Sequence, residues 1–473
     1  MQIRPDIIFL MLDTLRFDIL KTYGGPLRSS NIDALARKGK VYHNAISPGT
    51  YTLTSHTSIF TGRRVRKIKS LNVDALKHHE KNTDPMVSKV QYISDRDHTL
   101  ARHLSYLGYD TILFSNNPFI TNTTGLSSGF SYVKNVFIEN KINAHKATLG
   151  LVGNDTMRKG LTKLSYYLSL MMTKKQLDGT YIRLRERLNK EYGDAYGFNE
   201  LDQGAKLTND LIKKMNFEND SGKFLFVNYM EAHEGYPTNM ITDRFVSQDK
   251  WLYVGGILDP NDVGIIQKAY LKRIAYLDSK VGELLDSLKS KGMLDNAIVV
   301  ITSDHGQAFM EHGQLYHTLF PYSELSHVPL IACRFVNGKQ VNTGERINNR
   351  VSLTNLYDSI LDVAYGKEEM INGSMLKDDF VFSDHTGISE VWDVGLLEML
   401  RKRSEYARKV YQTKLRFNTP ATAVYHGDYK LIHYYGKLPD ELYNLSEDPK
   451  ENDNVIGLNK NIAREMLNAN KLN

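Results

Sequence analysis

The first apolar run of the chain reads Asp6-Ile7-Ile8-Phe9-Leu10-Met11-Leu12, and Asp13-Thr14 follows it directly. The run is far shorter than the roughly 20 apolar residues of a membrane-spanning helix, and it lacks the small-residue cleavage site of a secretory signal. A short, unbroken apolar run of this kind is typical of a strand buried on both faces of a parallel sheet. The segment therefore predicts a first core strand.

Three further apolar runs end, as the first does, in polar residues. They are Thr111–Phe114 before Asn116-Asn117, Phe224–Val227 before Asn228 and His233, and Ala297–Ile301 before Ser303-Asp304-His305-Gly306. Helical patterns at Asn31–Lys38, Thr99–Leu107 and Ile266–Lys289 lie between these runs. Strands alternating with helices indicate an α/β fold with a mostly parallel central sheet flanked by helices. Ligands of such sheets bind beyond the carboxyl ends of the strands, where these polar residues are expected.

The remaining pattern divides the chain in two. We predict a catalytic α/β domain at residues 1–350, with a helical insertion at about residues 140–220 that is rich in Lys, Arg and Tyr. Residues 351–473 are predicted to form a C-terminal subdomain. It contains the two apolar segments Ala421–His426 and Tyr429–Tyr435, and the Gly427-Asp428 turn between them predicts a small antiparallel sheet.

Composition narrows the class of protein. The chain has 473 residues and a net charge of +6, which is too mild to indicate a nucleic-acid-binding surface. The hydrophobic fraction of 41% is enough for a sizeable core, and no stretch is apolar enough to predict a transmembrane segment. Cys333 is the single cysteine, so it cannot form an internal disulfide, and we expect a buried thiol in a cytoplasmic protein. The oligomeric state cannot be read from the sequence.

Residues 51–62 contain a candidate nucleophile. Thr54 or Ser55 can cap a helix that ends at Gly62, which places Thr52 at the helix N-terminus, where the helix dipole stabilises an oxyanion. His56 lies four residues further on, near the same helix face. A threonine hydroxyl is a poor nucleophile until a base or a metal activates it. The alternative is a capped helix without chemistry.

Asp304 and His305 are candidate metal ligands because a carboxylate and an imidazole follow a buried strand together. Asp13 offers a third ligand, and three protein ligands with an open position are typical of a catalytic metal site. The alternative is a turn in which Asp304 caps the next element. His233, His312 and His317 are further candidates, although a histidine by itself is often structural.

The order of these motifs resembles the sulfatase family of the alkaline phosphatase superfamily. The resemblance rests on residues 11–18 and 31–36, on Thr52–Gly62, on Ser303–Gly306 with Glu311-His312-Gly313, and on residues 427–432 and 441–449. It implies an alkaline-phosphatase-like α/β fold with a small C-terminal antiparallel-sheet subdomain. It also implies a metal-dependent ester hydrolase acting on an anionic ester.

Two departures from the family pattern change the expected chemistry. Sulfatases make a formylglycine from Cys or Ser in a Cys-x-Pro-Ser-Arg segment, and Thr52 to His56 stand here instead, so no formylglycine is expected. Thr14 replaces a frequent second aspartate, which favours one divalent ion held by Asp13, Asp304, His305 and Thr52. Carboxylate and imidazole ligands favour Mn²⁺ or Zn²⁺, with Fe²⁺, Mg²⁺ or Ca²⁺ as alternatives.

The resemblance thus implies a hydrolase of phosphate or phosphonate esters, such as a phosphodiesterase, with a covalent phospho-threonine at Thr52. His233 or His317 would protonate the leaving oxygen, and His56 would contact Thr52 or a phosphoryl oxygen in place of the sulfatase arginine. Asn117 would bind substrate. Three alternatives stay open: a sulfuric ester hydrolase, a phosphoglycerol-type transferase, and a non-catalytic protein that binds an anionic glycan or lipid head group.

Overall fold

The computed structural model describes residues 4–65, 93, 98–137, 201–217, 221–236, 260–317, 319–386, 416 and 419–472. Most of the helical insertion predicted at about residues 140–220 therefore lies outside the described residues. Within the described ranges, no helix combines the length and the apolar character needed to cross a membrane.

A large mixed sheet forms the centre of the fold, and nine of the described strands belong to it. These strands are β1 (Asp6–Leu12), β2 (Lys40–Ile46), β3 (Asp110–Ser115), β4 (Tyr132–Asn135), β5 (Lys223–Tyr229), β6 (Asn296–Thr302), β9 (His327–Val336), β10 (Lys339–Gln340) and β11 (Arg346–Ser352). Their order is β11-β2-β9-β6-β1-β5-β3-β4, with β10 beside β9. A separate hairpin pairs β7 (Ala308–Phe309) with β8 (Leu315–Tyr316).

The four strands predicted from the apolar runs are β1, β3, β5 and β6, and they lie side by side. β1 pairs in parallel with both β5 and β6, and β3 pairs in parallel with β5. β9 runs antiparallel to β2 and β6, so the sheet is mostly rather than wholly parallel. Because parallel strands end at one edge, the polar residues after these four strands are brought together there.

Helices cover both faces of this sheet. The described helices are α1 (Ser30–Lys38), α2 (Thr52–Thr61), α3 (Leu100–Tyr106), α4 (Ala205–Lys214), α5 (Pro260–Ser290), α6 (Ser323–Ser326), α7 (Leu356–Ala364) and α8 (Lys460–Leu472). Alternate residues of β1 point to opposite faces. Leu10 packs with α1, α4 and α5 in one core cluster, whereas Phe9 packs with α2, α3 and α7 in another. The three helices predicted from the sequence correspond to α1, α3 and α5.

The predicted C-terminal antiparallel sheet is present, as four strands in the order β12 (Val381–His385), β13 (Ala421–His426), β14 (Tyr429–Tyr434) and β15 (Glu441–Asn444). The hairpin at Gly427-Asp428 is confirmed, and α8 packs on one face of this sheet. The α/β fold class is thereby confirmed. The division at residue 350 stays a prediction; β11 runs across it, and α7 packs in the core of the large sheet.

Candidate active site

The carboxyl edge of the large sheet gathers the predicted polar residues. Asp13 follows β1, Asn117 lies two residues after β3, and Asp304 and His305 follow β6. The three residues Asp13, Asp304 and His305 are fully buried, and one ligand-capable atom of each lies within 4.8 Å of the others. We call this group the Asp-Asp-His cluster.

In each member of the Asp-Asp-His cluster, one polar side-chain atom forms hydrogen bonds with other groups of the protein. Asp13 Oδ2 accepts a hydrogen bond from the Asn117 amide at 2.8 Å. Asp304 Oδ1 accepts from the backbone N–H groups of His305 and Thr14, at 3.0 and 3.3 Å. His305 Nδ1 donates to the carbonyl of Gly306 at 2.9 Å, so its proton lies on Nδ1 and its lone pair on Nε2.

The second polar atom of each member is buried and has no hydrogen-bond partner in the described structure. These atoms are Asp13 Oδ1, Asp304 Oδ2 and His305 Nε2. His305 Nε2 lies 3.5 Å from Asp304 Oδ2 and 3.9 Å from Asp13 Oδ1. Unsatisfied buried acceptors are costly. Three of them turned toward one another, two on carboxylates and one on an imidazole, fit a divalent cation.

Burial governs the protonation of the cluster. It raises the pKa of Asp13 to about 6, with the neighbouring Asp304 adding to the rise. It raises the pKa of Asp304 to about 7, against the lowering effect of the backbone N–H groups that donate to it. It also lowers the pKa of His305. A bound cation would offset the cost of keeping both carboxylates charged, because it supplies the opposite charge inside the site.

Thr14 turns the chain sharply after Asp13. Its φ of +61° lies in the left-handed region, which is rare for a β-branched residue and costs on the order of 1–3 kcal/mol. Hydrogen bonds hold it there, since its hydroxyl donates to the Asp13 carbonyl at 2.7 Å and its own carbonyl accepts from Tyr270 at 2.8 Å. The Thr14 side chain thus serves the turn and is not part of the Asp-Asp-His cluster.

α2 begins at Thr52. This start lies about one turn before the one that an N-cap at Thr54 or Ser55 predicts. That prediction was wrong, because Tyr51 is the N-cap residue and the Ser55 N–H already donates to the Tyr51 carbonyl. The Ser55 hydroxyl instead pairs with Ser47 at 3.0 Å. The helix ends at Gly62 as predicted, with a φ of +66°.

Asn117 joins the threonine to the Asp-Asp-His cluster. Its side-chain amide donates to Thr52 Oγ1 at 3.0 Å and to Asp13 Oδ2 at 2.8 Å. Its own Oδ1 accepts from the Phe119 N–H at 2.8 Å, which fixes the orientation of the amide. One buried side chain therefore holds the hydroxyl and the carboxylate next to each other.

His56 contacts Thr52 through the main chain. His56 Nδ1 lies 3.0 Å from the Thr52 carbonyl oxygen and 3.5 Å from Asp304 Oδ2. Full burial lowers the pKa of this imidazole to about 3, against the raising effect of the carbonyl. The ring is neutral near pH 7, so it does not reproduce the positive charge of the arginine whose place it was predicted to take.

His233 and His317 lie beside the Asp-Asp-His cluster. The rings of His317 and His305 are 4.6 Å apart, and those of His233 and His317 are 4.8 Å apart. Burial lowers the pKa of His317 to about 3, although Glu234 opposes this shift. His312 lies elsewhere, where it pairs with Glu324 at 3.2 Å and stacks on Tyr322.

Sequence reasoning missed Glu234, Gln307 and Tyr236. Glu234 Oε2 lies 3.1 Å from His317 Nδ1 and 3.3 Å from His233 Nδ1. Gln307 Oε1 lies 3.1 Å from the same His317 nitrogen. Glu234 and Gln307 each come within two residues of a predicted site residue, which was the available signal. Nothing in the sequence pattern pairs them.

Comparison with known proteins extends over most of the chain. The Sulfatase family model matches residues 5–367. Arylsulfatase K of Xenopus laevis is 28% identical over 204 residues, which cover 42% of this chain and 35% of that protein. An N-acetylglucosamine-6-O-sulfatase of Bacteroides thetaiotaomicron is 23% identical over 491 residues, which cover 96% of this chain and 83% of that protein. The chain spans less than half the length of the arylsulfatase K proteins that it matches.

Among solved structures, a phosphonate monoester hydrolase of Agrobacterium radiobacter superimposes with a TM-score of 0.60 and 18% identity. The alignment covers 99% of this chain and 95% of that protein. At this identity the likeness supports the fold alone.

Proposed function

The chain belongs to the sulfatase family of hydrolases, and we propose that it cleaves phosphate or phosphonate esters with Thr52 as the nucleophile and one divalent ion at the Asp-Asp-His cluster. The observation that carries the proposal is the Asn117 amide, which holds the Thr52 hydroxyl and the Asp13 carboxylate together at 3.0 and 2.8 Å.

Threonine at position 52 favours a phosphorus ester over a sulfate ester as the substrate that the hydroxyl attacks. Threonine carries a methyl group on its β-carbon, so oxidation there cannot give the aldehyde on which formylglycine chemistry depends. The side chain is therefore left with a hydroxyl, which must act as an ordinary oxygen nucleophile. A hydroxyl nucleophile and a phosphoryl group form a covalent phospho-threonine, which water then hydrolyses.

Asp13, Asp304 and His305 would hold the cation through Oδ1, Oδ2 and Nε2, the three buried atoms that the protein leaves without a partner. Mn²⁺ or Zn²⁺ suits this mixed oxygen and nitrogen donor set. When bound, the ion supplies positive charge that stabilises developing oxyanions.

The side chains of the site provide the remaining chemistry. Asn117 orients the Thr52 hydroxyl for attack, and the N-terminus of α2 offers its dipole to the negative charge that develops there. His233 or His317 gives a proton to the leaving oxygen. His56 holds the Thr52 carbonyl and thereby the first turn of α2.

The leaving group is proposed to be an alcohol of a glycan or of a lipid head group. One relative that aligns over 96% of the chain is an N-acetylglucosamine-6-O-sulfatase, and its name supports a sugar alcohol as one candidate. The names of the curated relatives also favour a second candidate function, hydrolysis of sulfuric esters with an unmodified Thr52.

A substrate panel tests the proposal. Protein depleted of metal and reloaded with Mn²⁺ or Zn²⁺ is assayed on aryl phosphate monoesters, diesters, phosphonate monoesters and aryl sulfates, with and without an acceptor alcohol. We expect metal-dependent release of phenol from the phosphorus esters. Preference for aryl sulfate would favour the second function, transfer to the alcohol would favour a transferase, and no turnover with any metal would favour a binding protein.

A further inference from the structure

A second group of metal-competent residues adjoins the Asp-Asp-His cluster. It consists of His233, Glu234 and His317, with one ligand-capable atom of each within 4.8 Å of the others. Two arrangements could explain such a group: a second cation with both imidazoles as ligands, or a hydrogen-bond network that holds protons on the imidazoles. The neighbouring side chains distinguish the two.

The orientation of the Gln307 amide is fixed from two sides. The Tyr236 hydroxyl donates its one proton to the Ala232 carbonyl at 2.8 Å, so it can only accept from Gln307 Nε2, which lies 2.8 Å away. Gln307 Nε2 also donates to the Glu234 carboxylate at 3.1 Å. With both N–H groups of the amide used, Gln307 Oε1 is the atom that faces His317.

The facing oxygen determines which nitrogen of His317 carries the proton. His317 Nδ1 lies 3.1 Å from Gln307 Oε1 and 3.1 Å from Glu234 Oε2, and neither oxygen can donate. Nδ1 must therefore carry a hydrogen. His233 Nδ1 faces two acceptors as well, the side chain of Glu234 at 3.3 Å and its carbonyl at 3.4 Å. A protonated nitrogen has no lone pair for a metal, and Glu234 Oε2 already faces both Nδ1 atoms and the Gln307 amide. The atoms that face one another are therefore hydrogen-bonded, which leaves no ligand set for a cation between them, and the network explains the group.

We propose that Gln307, held by Tyr236, is a positioning residue that keeps the proton of His317 on Nδ1 and so makes Nε2 the atom through which this imidazole transfers protons. The inference rests on the proposed ester hydrolysis. Gln307 and Tyr236 are fully buried, so water does not compete for these hydrogen bonds.

The proton balance of the first step follows from this tautomer. The bond from Thr52 Oγ1 to phosphorus forms as the bond from phosphorus to the leaving oxygen breaks, and the leaving oxygen keeps that electron pair. Thr52 loses one proton and the leaving oxygen gains one. Nε2 of neutral His317 accepts the proton that Thr52 loses and then gives that proton to the leaving oxygen, and Glu234 faces the imidazolium that exists in between. The ring ends the step as it began, with Nδ1–H.

Two readouts on the Zn²⁺-loaded full chain test this assignment. The first is the tautomer of His317, read from the ¹⁵N shifts of protein labelled with ¹⁵N-histidine and assigned with a His317→Asn variant. The second is the dependence of kcat/KM on the leaving group across aryl phosphates. Both are measured for wild type, Gln307→Met and Tyr236→Phe. The matched control is Tyr42→Phe, which removes a remote buried hydroxyl that also donates to a carbonyl, that of Ile371.

We expect Nδ1–H in wild type and a share of the Nε2–H tautomer in Gln307→Met. We also expect kcat/KM to fall about tenfold for phenyl phosphate, whose leaving group needs a proton, and far less for 2,4-dinitrophenyl phosphate. Tyr236→Phe should give a smaller loss of the same kind, whereas Tyr42→Phe should leave the ratio of the two substrates unchanged.

Other results would overturn the assignment. An unprotonated Nδ1 in wild-type His317, or two zinc ions per chain with one lost in His317→Asn, would replace the network by a second metal site. An equal loss for both substrates in Gln307→Met would make Gln307 merely structural. Nδ1–H in wild type without turnover of any ester would refute the proposed function and the catalytic part of this inference, and would support the placing of the proton.

Discussion

The proposed attack on phosphorus uses only the hydroxyl group of the Thr52 side chain. Thr52→Ala removes the oxygen and should lower turnover of phosphorus esters by about 10³-fold or more. Thr52→Ser keeps a hydroxyl next to Asn117 and should stay within about tenfold of wild type. Steady-state kinetics check both variants, and bound metal is measured on the same samples. Unchanged turnover in Thr52→Ala would show that another group performs the attack.

Substitution of Asn117 tests how the Thr52 hydroxyl is oriented and leaves the hydroxyl itself in place. Asn117→Ala frees Thr52 Oγ1 and Asp13 Oδ2 from their shared donor, and we expect kcat to fall by about 10- to 100-fold, as for other residues that orient a ligand. Asn44→Ala, which loses an exposed amide, is the control. An Asn117→Ala enzyme with wild-type kcat would mean that the amide does not orient the nucleophile.

The residues that the sequence pattern predicts are those whose place follows from a strand end. Asp13, Asn117, Asp304 and His305 come together because parallel strands end at one edge, which an apolar run reveals. Gln307 and Tyr236 could not be paired in this way, since they are 71 residues apart and meet through one hydrogen bond. The contact of His56 with the Thr52 carbonyl could not be predicted either, because every residue type has a backbone carbonyl.

At the scale of strands and helices, the apolar runs located the four central strands, and the helical patterns located α1, α3 and α5. The sequence made no prediction about the direction of β9, which runs antiparallel to β6, because a buried strand has the same composition in either direction. The start of α2 was also misplaced. Ser and Thr are good caps in general, but here Ser47 pairs with Ser55 inside the helix and Tyr51 takes the N-cap.

The proposed cation would link the ends of β1 and β6, so its removal should lower stability as well as activity. The ion binds the native chain and not the unfolded one, so a concentration a thousandfold above Kd adds about 4 kcal/mol. We expect one ion per chain by elemental analysis and a lower Tm in chelator. His305→Ala should lose the ion, whereas His312→Ala, outside the Asp-Asp-His cluster, should keep it. A wild-type Tm unaffected by chelator would contradict this link.

β9 begins with a histidine that should make the protein sensitive to acid. His327 stacks on Phe17, with ring centroids 3.5 Å apart, and its Nε2 donates to the His43 carbonyl at 2.7 Å. Burial lowers its pKa to about 4, more than the carbonyl raises it. Between about pH 6.5 and 4 the unfolded chain binds this proton and the native chain does not, so the free energy of unfolding falls as pH falls.

His327→Gln keeps an N–H donor but does not titrate. Its free energy of unfolding should therefore drop less than that of wild type between pH 7.5 and pH 5, as measured by urea denaturation. His98→Gln changes an exposed histidine and should follow the wild-type curve. Equal drops in wild type and His327→Gln would show that this ring does not contribute to the acid sensitivity.

Across the whole molecule, a buried ion pair connects the small C-terminal sheet to the segment that leads into β9. Lys430 on β14 lies 2.5 Å from Glu451, and both side chains are at most 1% exposed. The second carboxylate oxygen of Glu451 accepts from the Ser323 N–H at 2.7 Å, at the start of α6. Lys430 also lies over the ring of Tyr425, at 5.1 Å.

Breaking this pair from one side should cost far more than removing both charges. Lys430→Met leaves Glu451 buried without its partner, and we expect a loss of about 3–5 kcal/mol in the free energy of unfolding. The double variant Lys430→Met/Glu451→Gln should recover much of that loss, because no buried charge remains. Urea denaturation of wild type, both single variants and the double variant measures the coupling. The ion content should stay at one per chain in Lys430→Met, since neither residue belongs to the Asp-Asp-His cluster. Losses that simply add in the double variant would show that the two charges do not stabilise each other.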